Sequence, residues 1–444
     1  MRTVITYGTF DLFHKGHYNI LKRAKEEGDY LIVAVTGETY DAERGKLSVQ
    51  DSLATRIENV RATGFVDKII VEEYLGQKIP DIINNHVDVL VIGSDWKGKF
   101  DHLSKYCEVK YLERTKNISS TEVREKTLKM YRWGVVTEDL DDKECIFECE
   151  LVSGIHAEGV FAEDQQLADE FRDKFDLNCS FSDYDQFLEA VDIVYVKTGF
   201  EKRRHYIEEA LKAGKHVVYD TPCTLDPEEE AELRWLAKEK GVVLMEALST
   251  LYLKSFGQLL WMARGNLIGD LVSVKCSITQ QMLEEHGVKD FLDICYVPIC
   301  VIFKILGADF EKIDAKIIQD EEHENTYGLI DFFYKNAFAL AELNTDEDAV
   351  SELVIQGTRG EIRVPNDWWL VSYFIMKQKG EKRAQNYSSN FEGNGFRYVV
   401  QALMKEIRAE ESGDTARVTE EESAAILRVL KDVAAKYQNT SEAE

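Results

Sequence analysis

His14 and His17 stand three residues apart, with Gly16 between them, in the stretch ITYGTFDLFHKGHYNILKRAKEEGDYLIVAV that covers residues 5–35. The stretch reads as a strand, a tight turn, a helix and a second strand, which puts both imidazoles on the first turn of a helix. A helix start offers free backbone N–H groups and the positive end of a dipole, an arrangement suited to phosphate. Gly8 and Gly16 let an anion approach the backbone closely, and two imidazoles on one side of the turn add donors aimed at it. A single histidine here would be an ordinary solvated turn residue; the HxGH pair after TYGTFD points to phosphoryl chemistry. A second anion-binding candidate lies in ERTKNISST, residues 113–121, where Arg114 and the hydroxyls of Ser119, Ser120 and Thr121 precede a helical pattern. A basic group and three hydroxyls at a helix start suit a departing pyrophosphate, although ISST alone is also an ordinary N-cap.

The elements that must hold these residues are legible as an alternation. Apolar runs at 4–7, 31–35, 68–71, 87–92 and 109–111 are separated by helical patterns such as 18–27 and 54–63, and a closing helix is expected over 119–129. That order predicts a parallel sheet with helices on both faces. A second alternation begins at 133–136 and continues through 192–196, a helix at 205–213, a strand at 215–219, a helix at 227–240 and a strand at 242–245. From about Asp270 long alternating stretches (271–278, 310–318, 328–333, 337–344) predict an antiparallel sheet, followed by an amphipathic helix over 420–437 and a frayed end at 438–444. The fold class expected is therefore α/β: a Rossmann-like domain over 1–128, a second Rossmann-like domain over 129–250, and an α+β domain with a large antiparallel sheet over 251–444.

The totals agree with several domains in one chain. At 444 residues, 44% hydrophobic and 30% charged, the protein has the apolar mass for more than one core. The formal net charge of −27 is uneven: residues 1–127 carry 19 basic and 20 acidic side chains, the remaining 317 carry 35 and 61. A field of that sign repels nucleic acid and anionic membrane, so neither is expected as a partner. No apolar run nears the roughly 20 residues of a membrane span, and no basic-then-apolar leader opens the chain, so a cytoplasmic location is expected. The eight scattered cysteines, without paired CxxC spacing, read as reduced thiols.

YGTFDLFHKGH, VIGSDWKGKFD (91–101) and ERTKNISST resemble, in the expected order, the motifs of the nucleotidylyltransferase superfamily and in particular of the glycerol-3-phosphate cytidylyltransferases. The resemblance covers nearly all of residues 1–127. It implies that Thr9, Phe10 and Gly16 line the nucleotide pocket, that His14 and His17 stabilise charge on the α-phosphate during in-line attack, and that Arg114 is a further catalytic group in the motif that holds the departing pyrophosphate. It also implies that Thr115, Ile118, Ser119, Ser120 and Thr121, with Lys46, hold the nucleotide, that Asp95 and Trp96 form pocket wall, and that Arg44, Arg56 and Lys78 meet the acceptor phosphate. Asp11 reads as a brace of the turn. Magnesium is expected with the triphosphate, its protein ligands undetermined. Where relatives carry a tryptophan followed by EQK, this chain has Tyr74-Leu75-Gly76-Gln77-Lys78, so the acceptor wall differs.

EEALKAGKHVVYDTPCTLDPEEEAELRWLAKEKGVVLMEAL (208–248), FLDICY (291–296) and GNGFRYVVQALMKEI (393–407) resemble the Gfo/Idh/MocA oxidoreductases over about residues 131–437. The family's EKP triplet is here Asp220-Thr221-Pro222, without the lysine. After the strand at 133–136 the chain reads Thr137-Glu138-Asp139-Leu140-Asp141-Asp142 in place of GxGxxG, and four acids would repel a dinucleotide pyrophosphate. NAD(P) is not expected to bind in the usual mode, and His205, Thr221, Asp293 and Tyr296 read as a remnant site. The expected protein is a cytoplasmic, homodimeric cytidylyltransferase that joins CTP to a polyol phosphate for a surface polymer or glycan, with a redox-inactive module for dimerisation or ligand binding. Three alternatives remain: a bifunctional cytidylyltransferase and NAD(P)-dependent reductase, an ATP-using adenylyltransferase, or an oxidoreductase whose N-terminal domain only binds nucleotide.

Overall fold

The computed structural model describes residues 1–43, 49–74, 76–113, 129–140, 143–279, 291–319, 326–344, 351–389, 391, 393–408 and 417–441. The chain divides into two compact units, Met1–Met130 with Leu151–Gly154, and Tyr131–Glu150 with Ile155–Glu444.

The first unit is built on five parallel strands, β1 (Thr3–Gly8), β2 (Tyr30–Thr36), β3 (Lys68–Glu72), β4 (Val89–Gly93) and β5 (Glu108–Leu112), in the order β3-β2-β1-β4-β5. Because successive side chains leave a strand on opposite faces, adjacent residues of β1 feed two different cores. Val4 packs with Phe10, Leu21, Val33 and Val60, while Ile5 packs with Ile82, Leu90 and Leu103. β2 (YLIVAVT) is apolar along almost its whole length because both of its faces are covered. The helices Lys15–Glu26 and Leu53–Ala62 follow β1 and precede β3, near the predicted 18–27 and 54–63.

The second unit holds two sheets. Six parallel strands, β6 (Tyr131–Thr137), β7 (Ile155–Phe161), β8 (Cys179–Phe181), β9 (Ile193–Lys197), β10 (His216–Tyr219) and β11 (Leu244–Glu246), lie in the order β11-β10-β9-β6-β7-β8. The strand order reverses between β6 and β9, the switch point where open α/β sheets take ligands. The helix Pro227–Lys240 has the bounds read from sequence because its signals are local. Asp226 caps it by accepting from Glu228 N, Pro227 opens it, and Gly241 closes it at φ 66°. The helix expected at 205–213 begins earlier, at Phe200, behind Gly199.

The last sheet has eight strands: β12 (Leu271–Thr279), β13 (Lys312–Gln319), β14 (Thr326–Phe333), β15 (Phe338–Asn344), β16 (Glu352–Gly357), β17 (Gly360–Pro365), β18 (Tyr373–Gln378) and β19 (Gln385–Ser388). Their order is β13-β14-β15-β12-β16-β17-β18-β19. It is mixed, not wholly antiparallel as the alternation predicted: β12 pairs with β15 in parallel. A parallel pair needs a crossover, and the helix Phe291–Leu306 between β12 and β13 supplies one. That helix is apolar nearly all round and is buried with Val274, Cys276 and Ile278 of β12 and with Ile426 and Leu430 of the helix Glu420–Ser441. No helix among the described residues is long and apolar enough to cross a membrane.

Candidate active site

β1 ends at Gly8, and the turn that follows doubles back on it. The Phe10 ring lies over Gly8 so closely that a Cβ there would stand 2.9 Å from Phe10 Cζ. Phe10 and Leu12 both hold positive φ, 56° and 46°, each at a cost of about 1–2 kcal/mol for a residue with a side chain. Buried bonds hold the turn there. Asp11, 1% exposed, accepts from the amides of Gln50 and Asp51 at 2.9 and 2.8 Å, and Leu12 N donates to Asp51 Oδ2 at 2.9 Å. Asp11 is thus the brace that the sequence reading made of it.

The helix Lys15–Glu26 begins from this turn. His14 is its N-cap, its Nδ1 accepting from Gly16 N at 3.0 Å. With Nδ1 an acceptor, the neutral ring carries its proton on Nε2. The His14 and His17 rings are stacked, 3.9 Å between centroids and 20° apart in plane. Phe10 and Phe13 pack on His17 at 5.5 and 5.6 Å. The pair is half-buried and sits at the carboxyl edge of the sheet, on a helix turn free of acidic side chains. Two imidazoles at a helix start on this edge can receive a phosphoryl group and stabilise charge that grows on it.

Thr9 and Arg56 belong to the same framework. Thr9 Oγ1 donates to Asp41 Oδ1 at 3.2 Å; Arg56 Nη1 donates to Thr9 O at 3.0 Å and Thr36 O at 2.7 Å, and Arg56 Nε to Asp51 O at 3.0 Å. Arg56 is wholly buried, beside Asp41 at 3.4 Å. Arg56 Nε and Nη1 are thus taken by carbonyls of the framework that carries the histidines, while its buried Nη2 has no hydrogen-bond partner among the described residues. Asp41 and Asp51 escaped the sequence reading because each is an isolated acid until the fold brings it to β1.

Lys78 also has partners that the sequence did not show. Its ammonium is paired with Glu72, a carboxylate 2% exposed at the end of β3, and lies 4.3 Å from the Tyr7 ring centroid and 5.3 Å from that of Phe100. Tyr7 OH donates to Asp81 Oδ2 at 3.0 Å; burial, then the Asp81 charge, pushes the phenol's pKa far up. Gln77 closes the altered wall, its Nε2 donating to Val71 O at 2.7 Å and its Oε1 accepting from Glu73 N at 2.7 Å. Asp95 and Trp96 lie in the short turn Ser94–Trp96 after β4, with the Trp96 indole 44% exposed and Lys99 Nζ 5.0 Å from its ring. Arg44, Lys46, Arg114, Thr115, Ile118, Ser119, Ser120 and Thr121 lie outside the described residues. The chain entering ERTKNISST is tied to the histidine helix, since Arg23 Nη1 donates to Glu113 O at 2.7 Å.

In the second unit the switch-point edge is bridged by side chains. Glu138, just after β6, accepts from Gly199 N at 2.8 Å, at the start of the helix Phe200–Lys212 after β9. Lys202 joins Glu138 to Glu163, which follows β7, at 2.8 Å to each. The Lys202 hydrogen bond, then that of Tyr206, holds the Glu163 carboxyl below its usual range. Of the remnant residues, Thr221, Asp293 and Tyr296 are buried and His205 is exposed. Asp293 is buried in a bidentate pair with Arg203, at 3.0 and 2.7 Å, and Arg203 also donates to Pro222 O at 2.8 Å and Thr198 O at 3.0 Å. His205 is exposed on the same helix and packs on Tyr206, so Arg203 is the residue that meets Asp293. Thr221 precedes Pro222 through a cis bond, and Tyr296 is buried, its pKa pushed well up by burial and then by Glu246.

A parallel five-stranded sheet with a histidine pair at its carboxyl edge defines a nucleotidyl-transfer fold, and comparison with known proteins agrees. Residues 5–126 match the cytidylyltransferase-like family model. The chain is 44% identical over 128 residues to the glycerol-3-phosphate cytidylyltransferase of Bacillus subtilis (strain 168), covering 28% of this chain and 97% of that one. The chain therefore belongs to the cytidylyltransferase-like family. Residues 146–248 match the model of the oxidoreductase family with an NAD-binding Rossmann fold. A dTDP-3,4-didehydro-2,6-dideoxy-alpha-D-glucose 3-reductase of Actinomadura kijaniata is 30% identical over 146 residues, 31% of this chain and 44% of that one. The solved structure of KijD10, a 3-ketoreductase from Actinomadura kijaniata in complex with NADP and TDP-benzene, superposes with a TM-score of 0.59 at 20% identity, over 69% of this chain and 98% of that one. At that identity the likeness establishes the fold of the second unit.

Proposed function

We propose that the first unit transfers the cytidylyl group of CTP to a polyol phosphate, glycerol phosphate or a close relative, and that the second unit is redox-inactive. An acceptor phosphate oxygen attacks the α-phosphorus in line, the bond from the α-phosphorus to the bridging oxygen breaks, and pyrophosphate leaves. The stacked His14–His17 pair carries this reading: two imidazoles at a helix start suit negative charge that grows on an α-phosphate. Support comes from the name of the Bacillus subtilis relative, which assigns cytidylyl transfer to glycerol 3-phosphate. Magnesium bound to the triphosphate would offset its charge against that of the acceptor.

For the second unit, the residues at the switch point do not fit a dinucleotide pyrophosphate. The Glu138 carboxylate already takes the Gly199 amide, and Lys202 ties Glu138 to Glu163 across this edge. A role in dimerisation draws support from the large sheet, whose outward side chains include exposed Ile318, Tyr327, Leu329, Phe333 and Phe338. Ile318 stands opposite Tyr327, and Phe333 opposite Phe338.

Magnesium-dependent pyrophosphate release tests the first part, with CTP or ATP offered in turn against glycerol 3-phosphate, glycerol 2-phosphate, ribitol 5-phosphate and phosphocholine. Release with CTP and one polyol phosphate is expected. Release with ATP alone, or with no polyol phosphate, overturns it. Titration with NADH and NADPH tests the second part: micromolar binding overturns redox inactivity. Light scattering of the full chain reads the dimer.

A further inference from the structure

The turn from β1 to the histidine helix is held in a conformation that its own residues disfavour, with Phe10 and Leu12 at φ 56° and 46°. Leu12 stands two residues before His14, so a relaxation of its backbone redirects the start of the helix. The Leu12 amide is anchored by the carboxylate of Asp51 at 2.9 Å, 39 residues along the chain. Asp51 N in turn donates to Asp11 Oδ1 at 2.8 Å. Residues 11–12 and 50–51 are therefore tied by reciprocal amide-to-carboxylate bonds. The backbone carbonyl of Asp51 separately receives Arg56 Nε at 3.0 Å, a contact that a side-chain substitution leaves in place.

We infer that Asp51 is a positioning residue for His14 and His17: through the Leu12 amide its carboxylate keeps the turn left-handed and so sets where the two imidazoles point. In this role Asp51 acts on the chemistry through the turn. The inference rests on the nucleotidyl-transfer reading of those histidines. It also makes a compensation available, because glycine adopts φ near 46° without a side-chain penalty. If the carboxylate holds Leu12 against strain, a glycine at position 12 removes the need for it.

The test is Asp51→Ala and Asp51→Asn, each alone and combined with Leu12→Gly, in the full chain. Readouts are kcat, the KM values for CTP and acceptor, thermal melting, and NMR of selectively 13C-labelled histidine rings. Asp51→Ala is expected to lower kcat about 10- to 100-fold, the scale of a small misplacement of catalytic groups, with both KM values little changed. It should also shift the His14 and His17 ring resonances. Leu12→Gly should recover most of that loss, and Asp51→Asn, whose amide oxygen can still accept from Leu12 N, should lose little. An unchanged kcat in Asp51→Ala overturns the inference, and so does a folded Leu12→Gly/Asp51→Ala chain that stays slow. Should Asp51→Ala alone fail to fold, that double variant carries the test in the same two directions. A wild-type chain silent with every acceptor refutes the transfer reading itself; the latch is then judged by the histidine resonances, and rings unmoved by Asp51→Ala overturn it.

Discussion

His14 and His17 lie ring on ring at 3.9 Å, and the outer nitrogen of the first is fixed as a donor because its inner nitrogen accepts from Gly16 N. The cap and the chemistry can therefore be separated by substitution. His17→Ala should cut kcat for pyrophosphate release by at least about 100- to 1,000-fold, the usual loss for one preorganised charge-stabilising donor. The melting curve should stay close to wild type, since the ring is only half-buried. His14→Asn keeps an oxygen for the Gly16 amide, so it should retain helix stability and still lose turnover. Survival of turnover in either variant would refute the role given to the pair.

Glu72 and Lys78 give a prediction in which stability and binding part company. Lys78→Met strands a buried carboxylate, which costs about 3–5 kcal/mol for a broken buried pair. It should also raise the KM for the acceptor phosphate. Adding Glu72→Gln should restore much of the stability in a urea melt without restoring that KM. If the double variant regains both, Lys78 is only the counter-ion of Glu72.

Arg203 and Asp293 should matter to the second unit alone. Asp293→Asn breaks a bidentate pair whose side chains are 3% and 10% exposed, so its unfolding transition should fall by about 3–5 kcal/mol. Pyrophosphate release by the first unit should be unaffected. A parallel loss of cytidylyl transfer at temperatures where the second unit is folded would contradict this.

Asp67 supplies a pH dependence. Its carboxyl is held below the usual range by the Leu31 amide at 2.7 Å and next by the Lys25 ammonium at 2.6 Å. A carboxyl depressed in the folded state contributes stability that is fully present above its unfolded pKa, near 4, and is lost as pH falls through its lower folded pKa. Asp67→Asn should therefore destabilise the first unit at pH 7 by about 1 kcal/mol, given solvent screening of a partly exposed pair. The gap between wild-type and variant melts should narrow only as pH drops below about 4. A gap that persists at lower pH would assign the effect to packing.

Much of the fold was legible because its signals are short-range. The parallel strands of the first unit appear as apolar runs bounded by helical periods, and the helix Pro227–Lys240 as Asp-Pro at one end and Gly at the other. The mixed character of the large sheet was not legible. Period-two alternation says which face a residue takes, not which neighbour its strand finds, and β12 beside β15 results from a helical crossover. Helix Phe200–Lys212 began before its expected start because FEKRR carries no apolar stripe to announce it.

By itself the sequence determined where the histidine pair sits, on the first turn of a helix after a parallel strand, and that no glycine-rich loop follows β6. Those properties depend on a few consecutive residues and on backbone sterics, which hold in any tertiary setting. Only the folded structure decided the partners: Asp51 for Leu12 across 39 residues, Arg203 for Asp293 across 90, Glu72 for Lys78 and carbonyls for Arg56. A charged side chain on its own does not specify its counterpart. The counterpart is whichever group the sheet edge delivers, and burial then makes that pairing obligatory, because a charge removed from water must be matched where it lies.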